Sequence, residues 1–374
     1  MSEPVRGPVV IADPAMAEEA LEPDLPVCDT HFHFYERDSV TPPSSTGLWD
    51  NSGHVPYGLG DYCNDMSGGH NVVATVFAEC GTGYLPSGPE AFMPVGESRF
   101  VAAKAAEAER LGCPPIRGIV GMADLSCGDL LEAVLDAHVE ASAGLIRGIR
   151  VRATYDTHRH EFMPGVAQPQ RGLLADPSFR DGVRLLGQRR LTLDAWVFHT
   201  QLHEVVELAR AVPDTDIVVT HMGAPLGVAR YRRQADDVET TWRSAMRELS
   251  ALPNVTVKLG GIGMYLFGHD WFWRTEKPSS DEIASEFSDR VNYVIQEFGP
   301  SRCMFESNFP VDRFACSYNN LWNAFKKMTL SYSAEERRQM FHDSAMRIYR
   351  LDDTDHTGST RRFGQAQQDT GRPS

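Results

Sequence analysis

Eight short apolar runs recur along this chain, at 27–34, 71–79, 116–122, 145–152, 191–199, 217–221, 255–260 and 304–308. A strand with one wet face alternates polar and apolar residues. These runs are apolar almost throughout, which is the pattern of a parallel sheet covered on both faces. Helical segments at about 97–111, 128–141, 177–189, 201–211, 236–252 and 280–298 separate most of them, and Asp176 before Pro177 supplies a helix start. Eight strand–helix units close naturally into a (β/α)8 TIM barrel. With 374 residues the chain reads as an N-terminal arm over 1–24, a barrel over 25–352 with long active-site loops, and a polar, disordered tail over 353–374.

In such barrels the reacting side chains sit at the C-terminal ends of the strands. The residues ending the runs here are His33, Glu79, Asp124, Arg152, His199, His221 and Asn308. On the first strand the period of two puts Asp29, His31 and His33 on one face, opposite Cys28, Phe32 and Phe34. Two imidazoles on one face can share a metal ion. For His199, the apolar row Leu193, Ala195 and Val197 on its face argues for an inward direction, the alternative being a cap on the next helix. Arg150 and Arg152 share a face of the fourth strand. They are placed to hold a substrate carboxylate in bidentate fashion, or to pair with Glu79 or Asp124 across the barrel mouth. Glu306 lies two residues before Asn308 and one layer deeper. Its expected neighbour is Lys258 on strand seven, as a buried ion pair, with a catalytic carboxylate as the alternative. Trp271 in the aromatic loop 264–278, together with Trp49, Tyr57 and Tyr62 of the loop 36–70, offers an apolar wall for a cyclic substrate.

Net charge decides which partners fit. At −15 the chain is a poor match for nucleic acid or an anionic membrane surface. No apolar run approaches the roughly 18 residues of a membrane helix, and Glu18, Glu19, Glu22 and Asp24 interrupt the N-terminus where a signal peptide would be apolar. The expectation is a cytoplasmic protein acting on a small molecule, with self-association left open. Seven cysteines, at 28, 63, 80, 113, 127, 303 and 316, are an odd number without C-x-x-C spacing. That speaks against a disulfide framework and a zinc knuckle, and for buried thiols.

The stretches Asp29-Thr30-His31-Phe32-His33, Gly148-Ile149-Arg150, Trp196–Leu202, Val219-Thr220-His221-Met222-Gly223-Ala224-Pro225, Val257-Lys258-Leu259 and Phe305-Glu306-Ser307-Asn308-Phe309-Pro310 together resemble the amidohydrolase superfamily. Within it they are similar to the amidohydrolase-related barrels that include sugar-acid and pyrone-dicarboxylate lactonases. The resemblance implies a metal on His31 and His33, completed by His199 or His221, with Asn308 at the strand-eight position. Strand four offers arginines where binuclear relatives carry a carbamylated lysine, so the implied cofactor is one divalent ion, zinc, or none. The family motif on strand eight is Gly-Ser-Asp; here it is Glu306-Ser307-Asn308, and an amide cannot serve as the general base. The implied activity is hydrolysis of a carboxylate-bearing lactone or similar cyclic ester. The metal or His221 would activate water, Glu306 and Asn308 would be the remaining catalytic candidates, and Arg150, Arg152, Glu79 and Trp271 would contact an anionic, cyclic substrate. The alternatives are a non-oxidative decarboxylase on the same barrel and a catalytically inactive binding relative.

Overall fold

The computed structural model describes residues 11–12, 17–36 and 56–352. Eight parallel strands are hydrogen-bonded in sequence order: β1 (Pro26–Phe32), β2 (Asn71–Ala78), β3 (Ile116–Gly121), β4 (Ile146–Arg152), β5 (Thr192–Trp196), β6 (Ile217–Val219), β7 (Val255–Leu259) and β8 (Cys303–Phe305). The ring closes where Phe32 bridges Phe309, with the Asn308 amide donating to the His31 carbonyl (2.8 Å) and the His33 amide to the Phe309 carbonyl (2.8 Å). The fold is a (β/α)8 barrel. No helix among the described residues is long and apolar enough to cross a membrane.

Several strands stop earlier than their apolar runs. β6 ends at Val219 because His221, Met222 and Ala224 take positive φ (54°, 51° and 40°), and β8 ends before Asn308, whose φ is 56°. The left-handed region is costly for residues other than glycine and gathers at functional sites. The side chains at these positions therefore leave the strand's alternation, and counting by twos does not aim them.

The barrel interior also differs from simple alternation. On β1 the register slips between Asp29 and Phe32. Cys28 packs inside the barrel with Val76, Val120, Val218 and Met304, while Asp29 accepts from the Ser307 amide (2.9 Å) and the Tyr318 hydroxyl (3.1 Å). A bulge thus separates Asp29 from the histidine face it was expected to share. Lys258 does not meet Glu306. Its ammonium lies 2.8 Å from Asp194 and 2.8 Å from the Thr30 carbonyl, under the Tyr349 ring, and Tyr349 donates to Asp194 (2.6 Å). The group is fully buried, and a lone charge there would be far costlier than this closed pair.

Around the barrel, residues 17–24 lie against the helix Tyr318–Met328. Asn320 and Asn323 accept from the amides of Glu18 and Leu21 (2.9 and 2.8 Å), and Lys326 donates to the Leu21 carbonyl (2.6 Å). Tyr57 and Tyr62, expected in the substrate wall, are fully buried in the core, with Tyr57 bonded to Asp65 and Tyr62 to the Pro114 carbonyl. Trp49 and the 353–374 tail lie outside the described residues. Cys63 and Cys113, which spacing gave no reason to pair, form a disulfide across 50 residues; it ties the helix Leu59–Met66 to the turn after Val95–Leu111. The other five cysteines are free thiols.

Away from the strand-one pair, His70, His138 and His199 are buried and His269 is half-buried, and desolvation is the leading cause that lowers each to about 4. Unfolded, each titrates near 6.5. Between those values the unfolded chain binds more protons than the native one, so stability rises with pH across the window. It is fully present above about pH 6.5 and lost as pH falls toward 4. The melting temperature is expected to drop steeply from pH 6.5 to 4.5, and less steeply in His138→Asn. A flat profile across that range would contradict the burial of these rings.

Candidate active site

The C-terminal mouth of the barrel holds a cavity of about 910 Å³. His33, His221 and Asn308 are on its floor; Arg150, Arg152, Arg159, Trp196, Tyr35 and Tyr84 stand on its walls. His31 lies beneath, fully buried, its ring 4.7 Å from that of His221.

The acceptors around the rings favour a proton on each Nδ1. His33 Nδ1 is 2.8 Å from the Ala78 carbonyl, which can only accept. His221 Nδ1 is 2.7 Å from Glu306 Oε1, and the His221 amide donates to the same oxygen at 2.9 Å. His31 Nδ1 faces Glu306 Oε2 at 3.0 Å without the alignment of a hydrogen bond. Burial works against the Glu306 charge, but the rings of His221 and His31 outweigh it and hold the carboxyl well below its usual range. Burial likewise drives His31 well below 6.5, lowers His221, and takes His33 to about 3 with help from nearby Arg150. All three rings are neutral at pH 7. With each Nδ1 turned toward an acceptor, each Nε2 is left as a bare lone pair.

Two consequences follow. His221 Nε2 is buried and has no partner. His31 Nε2 and His33 Nε2 face one another at 3.2 Å. Two lone pairs at that distance repel unless a cation lies beside them, and two nitrogens each 2.0–2.1 Å from one tetrahedral ion would be about 3.3 Å apart. The donor set therefore fits a divalent ion, with Glu306 and the Ala78 carbonyl as the outer acceptors that orient metal-bound imidazoles. Among the described residues, His31, His221 and Glu306 form a group able to ligate a metal ion, their ligand atoms all within 4.8 Å of one another.

Room for this arrangement comes from Gly260 and Gly261, directly after β7. A Cβ on Gly260 would overlap Glu306, and one on Gly261, whose φ is +64°, would overlap the His221 ring. The Gly-Gly pair was visible in the sequence, yet nothing local said what it had to clear.

Other residues singled out from sequence are placed differently. His199 is not part of the histidine group: its Nδ1 accepts from the Leu226 amide (3.3 Å) and its ring packs on Tyr231 (5.1 Å). The row Leu193, Ala195 and Val197 faces the surrounding helices, since a strand buried on both faces has apolar residues outside as well as inside. Trp271 stacks on His269 at 4.0 Å and does not line the cavity. Arg150 and Arg152 do line it, but both engage Glu79: Arg150 Nη1 at 3.4 Å and Arg152 Nε at 3.1 Å from Oε1. Asn308 donates through Nδ2 to Asp312 (2.8 Å), and Asp312 also accepts from the Gly263 amide (2.7 Å). Burial pushes the Asp312 carboxyl well up. Asp312 was not anticipated, lying four residues beyond the strand-eight motif.

That contact bears on Asn308→Asp. The change sets a second carboxylate at hydrogen-bond distance from Asp312, where like charges cannot both ionise. Turnover is expected to fall roughly 10²-fold or more, as when an oriented amide donor is lost. A rise in rate with added metal uptake would show that the site lacks only an aspartate.

Comparison with known proteins agrees with the architecture. A family model described as "Amidohydrolase" matches residues 28–351. The chain belongs to the amidohydrolase family. Among curated relatives of this amidohydrolase, an uncharacterized protein, y4mH, from Sinorhizobium fredii is 31% identical over 88% of this chain and 99% of its own length. An L-fucono-1,5-lactonase from Burkholderia multivorans is 29% identical over 72% of this chain and 86% of its own. A zinc-bound amidohydrolase structure from Burkholderia multivorans superposes with a TM-score of 0.65 at 24% identity, covering 87% of this chain and 99% of that one.

Proposed function

We propose that this amidohydrolase opens a small lactone or similar cyclic ester with water, in a cavity suited to a substrate that carries an anionic group. One observation carries the reading: neutral imidazoles presenting bare Nε2 atoms to a cavity whose wall is lined by guanidinium groups. Likeness to an L-fucono-1,5-lactonase supports the lactone class. His31 and His33 would hold one divalent ion, zinc being the candidate by likeness to the zinc-bound neighbour. When bound, such an ion polarises an ester carbonyl and lowers the pKa of water.

The chain's own residues supply the rest. His221, held by Glu306 with its proton on Nδ1, accepts a proton from the attacking water at Nε2. The carboxylate of Glu306 then stabilises the imidazolium formed. Asn308, fixed by Asp312, has its second N–H available to the oxygen on which charge develops. Arg150, held 5.0 Å over the Trp196 ring and braced by Glu79, adds positive potential to the wall beside the histidines. Asn308 in place of the family's aspartate leaves His221 as the base.

The test is a lactone panel with pH-indicator detection, run beside a carbon dioxide assay on aromatic carboxylic acids. Acid release from a lactone at a rate that depends on His221 supports the reading. Carbon dioxide evolution without acid release would replace it with the decarboxylase.

A further inference from the structure

Beyond the histidine floor, one wall of the cavity carries a buried cation with no ion-pair partner among the described residues. Arg159 is 4% exposed and lines the cavity. Among the described residues its only hydrogen bond is from Nη1 to the Thr154 carbonyl (2.8 Å), and its buried Nε has no partner there. No carboxylate of the described residues forms an ion pair with it. Asp156, whose charge favours the guanidinium from beyond ion-pair distance, accepts instead from the His158 amide (2.7 Å) and the Tyr231 hydroxyl. Burial without a paired acid lowers the guanidinium to about 10, still charged at neutral pH. An unpaired buried charge is among the most destabilising features a fold can keep.

The loop that carries Arg159 is pinned on three sides. Gln201 donates to the Ala153 carbonyl and accepts from the Tyr155 amide (2.8 Å each), Arg230 pairs with Glu161 (2.6 Å), and Tyr265 donates to the Phe162 carbonyl (2.6 Å). The guanidinium cannot easily swing out to water. The neighbouring cavity wall is apolar, from Leu125, Leu130, Met163, Val166, Leu173 and Phe179. A polyhydroxylated sugar ring would leave its hydroxyls unpaired against such a wall.

We propose that Arg159 is the receptor for a carboxylate on a substrate whose body is apolar, the body lying against this wall. Arg150 and Arg152 share Glu79 as an ion-pair partner, whereas Arg159 has no ion pair among the described residues. A ligand carboxylate completes its pairing, and the preorganised loop limits the ordering cost of binding. This inference rests on the reading that the cavity is the substrate site. Its test reads binding and not turnover, so failure of the lactone assignment leaves it standing or falling by itself.

Cyclohexanecarboxylate, cyclohexylmethanol and gluconate serve as probes, each titrated into the full-length protein by calorimetry and by thermal shift. The carboxylate is expected to bind about tenfold or more tighter than the neutral alcohol and than gluconate. In Arg159→Met its affinity should fall roughly 10- to 100-fold. The ligand-free melting temperature of that variant should stay level or rise, because an uncompensated buried charge has been removed. A purely structural arginine would give the opposite pattern, a lower melting temperature and unchanged affinity. If Arg159→Met does not fold, Arg159→Lys and Arg159→Gln carry the test, with binding in the order Arg, Lys, Gln. Retained affinity in the uncharged variant, gluconate binding as well as the cyclic acid, or no carboxylate binding to the wild type each overturns the proposal.

Discussion

Replacing His221 with asparagine is expected to lower kcat by roughly 10²–10⁴-fold while the protein stays folded. The asparagine amide can take over the donation that Nδ1 makes to Glu306 at 2.7 Å. What it cannot supply is Nε2, the buried nitrogen that has no partner. The variant therefore separates the ring's structural contact from its chemical atom. Metal content, measured on protein purified without chelator, then resolves the role of that atom. Full content with low turnover marks His221 as the base, and lost metal marks it as a third ligand. Turnover within about threefold of wild type, far smaller than a general base contributes, would remove His221 from the mechanism.

Glu306→Gln should be as damaging for a different reason. Glu306 accepts from His221 on Oε1 and faces His31 Nδ1 with Oε2 at 3.0 Å. A glutamine presents an N–H₂ group to one of those rings, so a donor meets a donor. That ring must move its proton to Nε2, which removes either a metal-binding nitrogen or the base. Metal affinity is expected to fall roughly 10–100-fold, the usual effect of losing an outer-sphere partner. Stability is expected to fall by about 1–3 kcal/mol for the buried group left unpaired. Isothermal metal titration and thermal unfolding check the two together. A Glu306→Gln protein with normal metal content and normal turnover would reduce Glu306 to a space-filling residue.

Glu306 also shows where reading the chain reached its limit. Its depth below Asn308 was legible from strand spacing, but its partner was not. Lys258 looked right because it too lies inside the barrel; it is taken by Asp194. The histidine that does meet Glu306 gets there because His221 and Met222 leave extended geometry and Gly261 leaves room for the ring. Neither fact is local to Glu306. The same holds for His199, whose apolar row is real but lies on the helix side of a strand covered on both faces.

Taken alone, the sequence determined the architecture and the end of the barrel that carries the cavity. Eight apolar runs of strand length allow little besides a parallel barrel, and polar residues clustered at the ends of those runs mark the face where the cavity opens. The pairing of His31 with His33 was equally legible, because residues two apart on a strand share a face. Tertiary structure decided the rest. It set which nitrogen of each histidine is bare, since the acceptors are the Ala78 carbonyl, 45 residues from His33, and Glu306, 85 residues from His221. It put Glu79 between Arg150 and Arg152 and left the buried Arg159 Nε without a partner among the described residues. The physical reason is common to all of these. Hydrophobic period reports how a segment is buried, whereas proton positions and charge pairing depend on partners that only closure of the barrel brings within about 3 Å.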